Sequence, residues 1–191
     1  MRRYGMAGLV LGVVSVALAA DSYSWEKEKD LQGWEGTNGG KVEVVTAESG
    51  APAGAITDGK SCLKITQKDG KWRQVAWNIE EANESIAKND TIDMDVFLPA
   101  EAVPVDDGYC FMCVGIQGDG GWRIEKQLDF DTKSDEAKKG KSYHLTWKYG
   151  GDPKFKKDAG WLQLFIKTQC ESGTKMSPIY LDKVVFSTAT K

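Results

Sequence analysis

The chain has 191 residues, of which 25 are Lys or Arg and 28 are Asp or Glu, so its formal net charge at pH 7 is −3. This length suits one domain with a sizeable core. Because the slight acidity comes without any block of basic residues, the composition argues against nucleic acid, an anionic membrane surface or a polyanionic glycan as the partner.

The first 19 residues have the pattern of a secretory signal peptide. Arg2 and Arg3 precede the apolar stretch 9–18, and Ala17-Leu18-Ala19 provides small residues for cleavage. The apolar stretch is shorter than a membrane span requires. We therefore expect a secreted or periplasmic protein in which residues 20–191 form a single domain, with no insertion into a membrane.

Strand signals dominate the rest of the chain. Short alternating segments bounded by Gly, Asp, Asn and Pro predict nine strands, at residues 42–45, 62–66, 73–79, 92–98, 109–117, 122–130, 143–149, 162–168 and 179–186. Helical signals are few: residues 80–88 could form one or two helical turns, and residues 135–139 suit an exposed charged loop or a single turn. The pattern predicts an all-β protein, an antiparallel β-sandwich of eight to ten strands.

The four cysteines are Cys62, Cys110, Cys113 and Cys170. An exported chain can oxidise them, and three fully paired connectivities remain open. Cys110 and Cys113 have C-x-x-C spacing, but positions i and i+3 of a strand face opposite sides of the sheet. A local bridge or a shared metal is therefore disfavoured, and pairing with distant cysteines or simple buried thiols is expected.

Three segments, taken in order, resemble the carbohydrate-binding modules of the galactose-binding-like, jelly-roll type. The first is Trp25-Glu26 followed by Leu31-Gln32-Gly33-Trp34. The second is Gly59-Lys60-Ser61-Cys62-Leu63-Lys64-Ile65, with Cys62 inserted into the usual pattern, and the third is Ile179-Tyr180-Leu181-Asp182-Lys183-Val184. The resemblance spans about residues 23–187 and implies a jelly-roll sandwich that binds sugars without catalysis.

The resemblance also implies a structural calcium ion. In several of these families calcium joins the opening and closing strands, and the matching positions here are Glu26 and Asp182. Calcium takes several oxygen ligands, so backbone carbonyls would have to complete the set. The closing strand has no Asp-Asp pair, and the alternative is that both carboxylates accept hydrogen bonds at strand ends.

The seven tryptophans are interleaved with amides and charges, which suits a sugar-binding surface. An aromatic ring can cover the apolar face of a sugar, while Gln and Asn both donate to and accept from hydroxyls. Strand parity places Phe111, Trp161 and Asn78 on outward surfaces, and we expect about half of the tryptophans in the core. The expected ligand-binding residues are Trp72, Gln74, Tyr109, Gln117, Trp122, Gln127, Gln163 and Lys167.

These observations predict a secreted, non-catalytic module that binds a neutral β-linked polysaccharide such as a glucan, xylan or mannan, alone or within a larger extracellular assembly. One alternative is a structural or protein-binding β-sandwich of the cell envelope.

The second alternative is a small glycoside hydrolase or lyase of jelly-roll fold. It would use Glu125, Asp129 and Asp131, which alternate along one predicted strand and so share a face. Same-face neighbours on a strand lie about 7 Å apart, and retaining glycosidases need carboxyls about 5–5.5 Å apart. His144 is the only histidine and has no catalytic partner pattern around it.

Overall fold

A computed structural model of the chain describes residues 21–27, 30–37, 40–66, 73–77, 79–102, 110–131, 134–135, 139–170 and 178–188. For residues 73, 74, 79–81, 169 and 170 it describes the backbone only. The expected signal peptide, residues 1–19, lies outside the described residues. Within the described ranges, no helix is long and apolar enough to cross a membrane.

The described residues contain eleven strands, one α-helix and short 3₁₀ helices at Ala100–Ala102, Asp119–Gly121 and Tyr149–Gly151. The strands are β1 (Asp21–Tyr23), β2 (Trp34–Thr37), β3 (Lys41–Thr46), β4 (Ser61–Thr66), β5 (Arg73–Trp77), β6 (Thr91–Leu98), β7 (Cys110–Gly118), β8 (Arg123–Asp129), β9 (Lys141–Trp147), β10 (Leu162–Cys170) and β11 (Ile179–Ser187). The helix α1 is Ile79–Lys88.

The strands form two antiparallel sheets. Sheet A has the order β3-β4-β11-β6-β9, with β1 also paired to β11, and sheet B has the order β2-β5-β10-β7-β8. The predicted all-β antiparallel sandwich is therefore confirmed. Its jelly-roll character shows in the order of each sheet, where neighbours in space are mostly distant in sequence.

The core lies between the two sheets and follows the alternation of the strands. Ile92, Met94 and Val96 of β6 and Leu162, Leu164 and Ile166 of β10 are all buried, because alternate residues of a strand point to the same side. Among the tryptophans that the structure describes, four are core residues, in line with the expectation of about half: Trp25, Trp34, Trp77 and Trp147.

Helix α1 closes one end of this core. Ala82 and Ile86, four residues apart on one helix face, are fully buried. Tyr149, which follows β9, donates a hydrogen bond from its hydroxyl to the carbonyl oxygen of Ile86 at 3.0 Å. Because this helix starts at Ile79, strand β5 ends at Trp77 rather than at residue 79 as predicted.

Strands β1 and β2 are the ones that the alternation pattern missed. They have three and four residues, too few to show a period of two. They raise the number of strands above the predicted eight to ten.

A second, smaller apolar cluster lies on the outer side of sheet A. Cys62, Phe97 and Tyr180 point away from the main core and pack with Val45 and Ala55. The segment that connects β3 to β4 therefore folds back over the sheet, and its residues Ala51 and Ile56 pack against the same cluster.

The cysteines behave as the strand geometry predicted. Cys110 forms a disulfide bond, whereas Cys113 is a free, buried thiol, so the two do not bridge. Cys62 is also a free, buried thiol. In the register of β7 and β10, Cys110 lies directly opposite the fourth cysteine, Cys170.

Candidate functional site

The outer side of sheet B, called the sheet B face below, gathers most of the predicted ligand-binding residues. It consists of the outward-pointing residues of β5, β10, β7 and β8. One row across it contains Gln163, Gln117 and Arg123, the next contains Ala76, Phe165, Gly115 and Glu125, and the third contains Gln74, Lys167, Cys113 and Gln127. Strand parity is confirmed for Gln117, Gln127, Gln163 and Lys167, and for the backbone position of Gln74.

Gln117 and Gln163 form an amide pair on neighbouring strands. Nε2 of Gln117 donates to Oε1 of Gln163 at 2.8 Å, and both side chains are partly exposed. Because this bond uses the amide nitrogen of Gln117 and the amide oxygen of Gln163, the other two atoms are left for a ligand: Oε1 of Gln117 as an acceptor and Nε2 of Gln163 as a donor. A hydroxyl group can bond either of them because it both donates and accepts.

The charges at the centre of the sheet B face compensate one another. Oε1 of Glu125 lies 2.7 Å from Nζ of Lys167 and 3.1 Å from Nε of Arg123. The side chain of Lys167 is only 12% exposed and that of Glu125 is 25% exposed, so this pair is screened less than a surface salt bridge. Each cation therefore already has an anionic partner, and because two cations share one carboxylate the three groups together keep a net charge of +1.

Phe165 fills the middle of the face but is fully buried. A Cβ atom on its cross-strand neighbour Gly115 would lie 2.0 Å from Cζ of the Phe165 ring, so only glycine leaves room for the ring to lie across β7. Nζ of Lys167 lies 4.6 Å from the ring centroid on the outer side, within cation–π range. Phe165 is therefore a buried support for Lys167 and not a stacking platform, and sequence reasoning missed it.

Trp161 is a partly exposed aromatic residue that strand parity directs outward. It is not one of the eight predicted ligand-binding residues. It comes immediately before β10, and its parity is that of Gln163. Its side chain is partly exposed, and it is not among the half-buried side chains that pack against the described core. Phe111 of β7, opposite Asp129 of β8, is also partly exposed on this face.

Trp122 does not join the glutamines, contrary to the predicted surface. Trp122 and Gln127 are five residues apart, so a regular strand directs them to opposite faces. Trp122 precedes β8 on the core side, packs against the main core and contacts Phe155 at a ring-centroid distance of 6.0 Å. Its indole lies over Gly118, where a Cβ would come within 2.7 Å of the ring.

Two predicted ligand-binding residues, Trp72 and Tyr109, lie outside the described residues, as does the side chain of Gln74. Their roles stay predictions, and so does a ligand contact of Trp122.

The two predicted calcium ligands meet at one short loop. Asp182 is buried, and its Oδ2 accepts hydrogen bonds from the backbone N–H groups of Thr57 at 2.6 Å and Asp58 at 2.9 Å, and from the Thr57 hydroxyl at 3.1 Å. Its Oδ1 accepts from the N–H of Lys183 at 2.8 Å. Burial raises the pKa of the Asp182 carboxyl, and these hydrogen bonds oppose that rise.

Glu26 holds the other end of the same loop. Both of its carboxylate oxygens lie 3.0–3.1 Å from the backbone nitrogen of Lys60. Gly59 has φ +68°, and a Cβ there would lie 2.0 Å from Oε1 of Glu26. The turn needs glycine for both reasons.

Calcium requires oxygen ligands directed at the ion, whereas both carboxylates here receive N–H donors. In addition, no group of three or more His, Cys, Asp or Glu side chains within the described ranges is arranged to hold a metal ion. The residues in this arrangement fit the hydrogen-bonding alternative better than they fit calcium, and calcium binding stays a prediction to be tested.

Of the carboxylates of the hydrolase alternative, Glu125 and Asp129 share the outer face of sheet B, but Asp131 does not join them. Strand β8 ends at Asp129, and Asp131 lies beyond it, with its Oδ2 3.4 Å from Nζ of Lys141. Glu125 is paired with two cations, and Asp129 accepts a hydrogen bond from Gln127 at 2.5 Å. His144 is exposed, as predicted, and its Nδ1 lies 2.7 Å from Oδ1 of Asp95 on the outer side of sheet A.

No protein-family model matches the sequence, and no curated protein matches it. Solved structures do match its fold. The carbohydrate-binding module CBM27-1 of Caldicellulosiruptor saccharolyticus, solved with mannohexaose, superposes with a TM-score of 0.63 at 15% identity, over 92% of this chain and 100% of that one.

Two further carbohydrate-binding modules match the fold of this chain. TmCBM27, described for specific mannan recognition, has a TM-score of 0.54 at 14% identity, over 91% of this chain and 100% of that one. The CBM22-2 xylan-binding domain of Paenibacillus barcinonensis Xyn10C has a TM-score of 0.53 at 12% identity, over 88% and 99%. The chain therefore has the β-sandwich fold of these modules, and the resemblance seen in its motifs is confirmed at the level of the fold.

Proposed function

We propose that this protein is a non-catalytic carbohydrate-binding module that recognises a neutral β-linked polysaccharide through the sheet B face. The observation that carries the proposal is the Gln117–Gln163 amide pair beside the partly exposed ring of Trp161. The shared fold of sugar-binding modules supports it.

The chemistry of the face suits an uncharged ligand with many hydroxyl groups. The amide pair offers one acceptor and one donor at fixed positions, and Trp161 offers an apolar surface for a sugar ring. Lys167 and Arg123 are already paired with Glu125. A charged glycan would therefore have to compete with an existing ion pair, whereas a neutral one would not.

Among glucans, xylans and mannans, the last two are the first candidates. The similar structures are described as binding mannohexaose, mannan or xylan. The backbones of mannan and xylan are chains of neutral sugars. The secretory signal predicted at residues 1–19 supports action outside the cytoplasm, either alone or within a larger extracellular assembly.

The test is calorimetric titration with mannohexaose, xylohexaose and cellohexaose. Replacing Gln163 by Ala removes one partner of the amide pair, and we expect binding to weaken about tenfold, which corresponds to about 1.4 kcal/mol. Trp161→Ala should weaken binding by at least as much, because aromatic anchors dominate many interfaces. Lys126→Ala, an exposed residue of β8 with the opposite parity, is the control and should bind like the wild type.

Two results would contradict the proposal. If the wild type binds none of the three hexaoses or their parent polysaccharides, the structural or protein-binding alternative replaces it. If new reducing ends accumulate during incubation with the same sugars, the protein is a hydrolase and the non-catalytic assignment is wrong.

A further inference from the structure

A groove of about 700 Å³ opens beside the turn that joins β7 to β8. One wall is formed by Asp119 and Gly120 of that turn, and the other by residues 155–159, which lie in the segment between β9 and β10. Its volume is in the range of about 300–1,000 Å³ that is usual for small-molecule sites. Neither the sheet B face nor the main core includes this groove.

The groove lies at the end of sheet B where Gln117 and Gln163 are found. Strand β7 ends and strand β10 begins there, since Leu162 pairs with Gly118. The backbone N–H of Gly160, next to Trp161, donates to Oδ2 of Asp119 at 3.0 Å. This bond ties the β7–β8 turn to the segment that forms the other wall, at a residue next to Trp161. The groove therefore lies beside the edge of the sheet B face.

Phe155 gives the groove an apolar surface in a fixed position. Its ring contacts Trp122 edge-on at 6.0 Å and Tyr149 edge-on at 5.1 Å, and Tyr149 is fully buried. Phe155 remains partly exposed and lines the groove. A ring held by two aromatic neighbours loses little entropy when it contacts a ligand.

Apart from Phe155 and Ala159, the side chains that line the groove are charged and balanced in sign. Lys156, Lys157 and Asp158 are exposed, and within the described part of the chain none of them forms an ion pair. With Asp119 they make two positive and two negative groups. This differs from the sheet B face, where Glu125 pairs with both Lys167 and Arg123. Donors and acceptors in the groove are therefore available to a neutral ligand.

We propose that this groove is a second sugar-binding subsite, which receives the part of a polysaccharide chain that extends past the Gln117–Gln163 pair and Trp161. Phe155 covers the apolar side of one sugar ring, the two lysine ammonium groups donate to its hydroxyls, and Asp158 accepts from them. The inference rests on the proposed function of the sheet B face, and it adds a preference for long chains over short ones.

The experiment compares chain lengths. Titrations of the whole protein with mannohexaose and mannotriose, and with the xylose series, give affinities for a ligand long enough to reach the groove and for one that is not. The double variant Lys157→Ala/Asp158→Ala should weaken hexaose binding about fivefold or more and change triose binding less than twofold. Phe155→Leu, which keeps an apolar side chain against Trp122 but removes the flat ring, should act in the same direction.

Two controls separate the groove from the face. Lys154→Ala alters an exposed lysine of the same segment that does not line the groove, and it should bind both lengths like the wild type. Gln163→Ala should weaken both lengths alike. Hexaose affinities that the groove variants leave unchanged, or equal losses for both lengths, would overturn the subsite alone, whereas a wild type that binds neither length overturns the proposed function with it.

Discussion

The outer faces of the two sheets both carry polar and apolar residues, but the partners of those residues differ. On sheet A the segment between β3 and β4 folds over the sheet and buries Cys62, Phe97 and Tyr180. Beside this cluster, the single proton of the Thr57 hydroxyl is shared between Oδ2 of Asp95 at 2.8 Å and Oδ2 of Asp182 at 3.1 Å. Nδ1 of His144 lies 2.7 Å from Oδ1 of Asp95. The polar groups of this face are thus engaged with one another.

On sheet B, no segment within the described ranges packs over the outer face as the β3–β4 segment does on sheet A. Its charged side chains Lys167, Arg123 and Glu125 pair with one another. The amide pair, in contrast, keeps one donor and one acceptor without an internal partner, and Trp161 is partly exposed. The difference teaches that polar residues on a sheet do not by themselves make a binding site. What distinguishes the two faces is how many donors, acceptors and apolar surfaces have no internal partner.

The largest expected effect comes from the anchor of the sheet A segment. Asp182→Ala removes the acceptor for the N–H groups of Thr57, Asp58 and Lys183, and we expect the free energy of unfolding to fall by roughly 3 kcal/mol. Urea unfolding measures it. Asp182→Asn, which keeps the size of the side chain but has one acceptor oxygen, should also destabilise, and this separates lost hydrogen bonds from a cavity. A loss below about 0.5 kcal/mol, the scatter of ordinary surface changes, would contradict the anchor role.

The same proteins test the predicted calcium ion. An ion that joined Glu26 and Asp182 would stabilise the folded state by mass action, so chelation would lower the melting temperature of the wild type. Since both carboxylates accept N–H bonds from the loop, we expect the melting temperature to be unchanged by chelator or by added calcium. A fall on chelation that is absent in Asp182→Ala would restore calcium as a ligand of these two residues.

Trp122 and Trp161, which are both partly exposed, sharpen the comparison further. Trp122 packs against the core and Phe155, so Trp122→Ala should lower the free energy of unfolding by about 2 kcal/mol, less than the 3–5 kcal/mol of a fully buried tryptophan. Trp161→Ala should change stability by less than about 1 kcal/mol while weakening sugar binding about tenfold. Urea unfolding and hexaose titration of both variants check this, and the reverse assignment of losses would show that Trp122 belongs to the binding surface.

The close contact between Phe165 and Gly115 predicts a loss of stability of similar size. Gly115→Ala places a methyl group against the ring, and overpacking of this kind costs about 1–3 kcal/mol. Because Phe165 supports Lys167, the same change should also weaken sugar binding. Gly151→Ala is the matched control, since a Cβ there meets no atom within 4 Å. Equal stability of the two variants would show that the ring at position 165 moves aside without cost.

The sequence predicted the strands and the outward parity of the glutamines because alternation reports which side of a strand is buried. It could not predict which outward side lies open, since the cover over Cys62 comes from a loop with no periodicity. Trp122 and Gln127 are an odd number of residues apart, so alternation directs them to opposite faces, and Trp122 lies on the core side just before β8 begins. Phe165 was missed because an aromatic residue among outward positions has no sequence signal that separates a buried support from an exposed platform.

The smallest effect concerns the two free thiols, one on each outer face. Burial, with a smaller contribution from Asp182, raises the pKa of Cys62 to about 12, and burial with the nearby Glu125 raises the pKa of Cys113. Because the thiolate is the reactive form, both should react with iodoacetamide at pH 8 far more slowly in the folded protein than in urea. Cys62 is fully buried, whereas Cys113 is 5% exposed beside Lys167 and Gln127. Cys113 should therefore react first, and saturating hexaose should slow the reaction of Cys113 only.

Mass spectrometry of peptides after timed labelling measures both rates. Equal rates, or protection of Cys62 by sugar, would show that the outer face of sheet A is as open as that of sheet B.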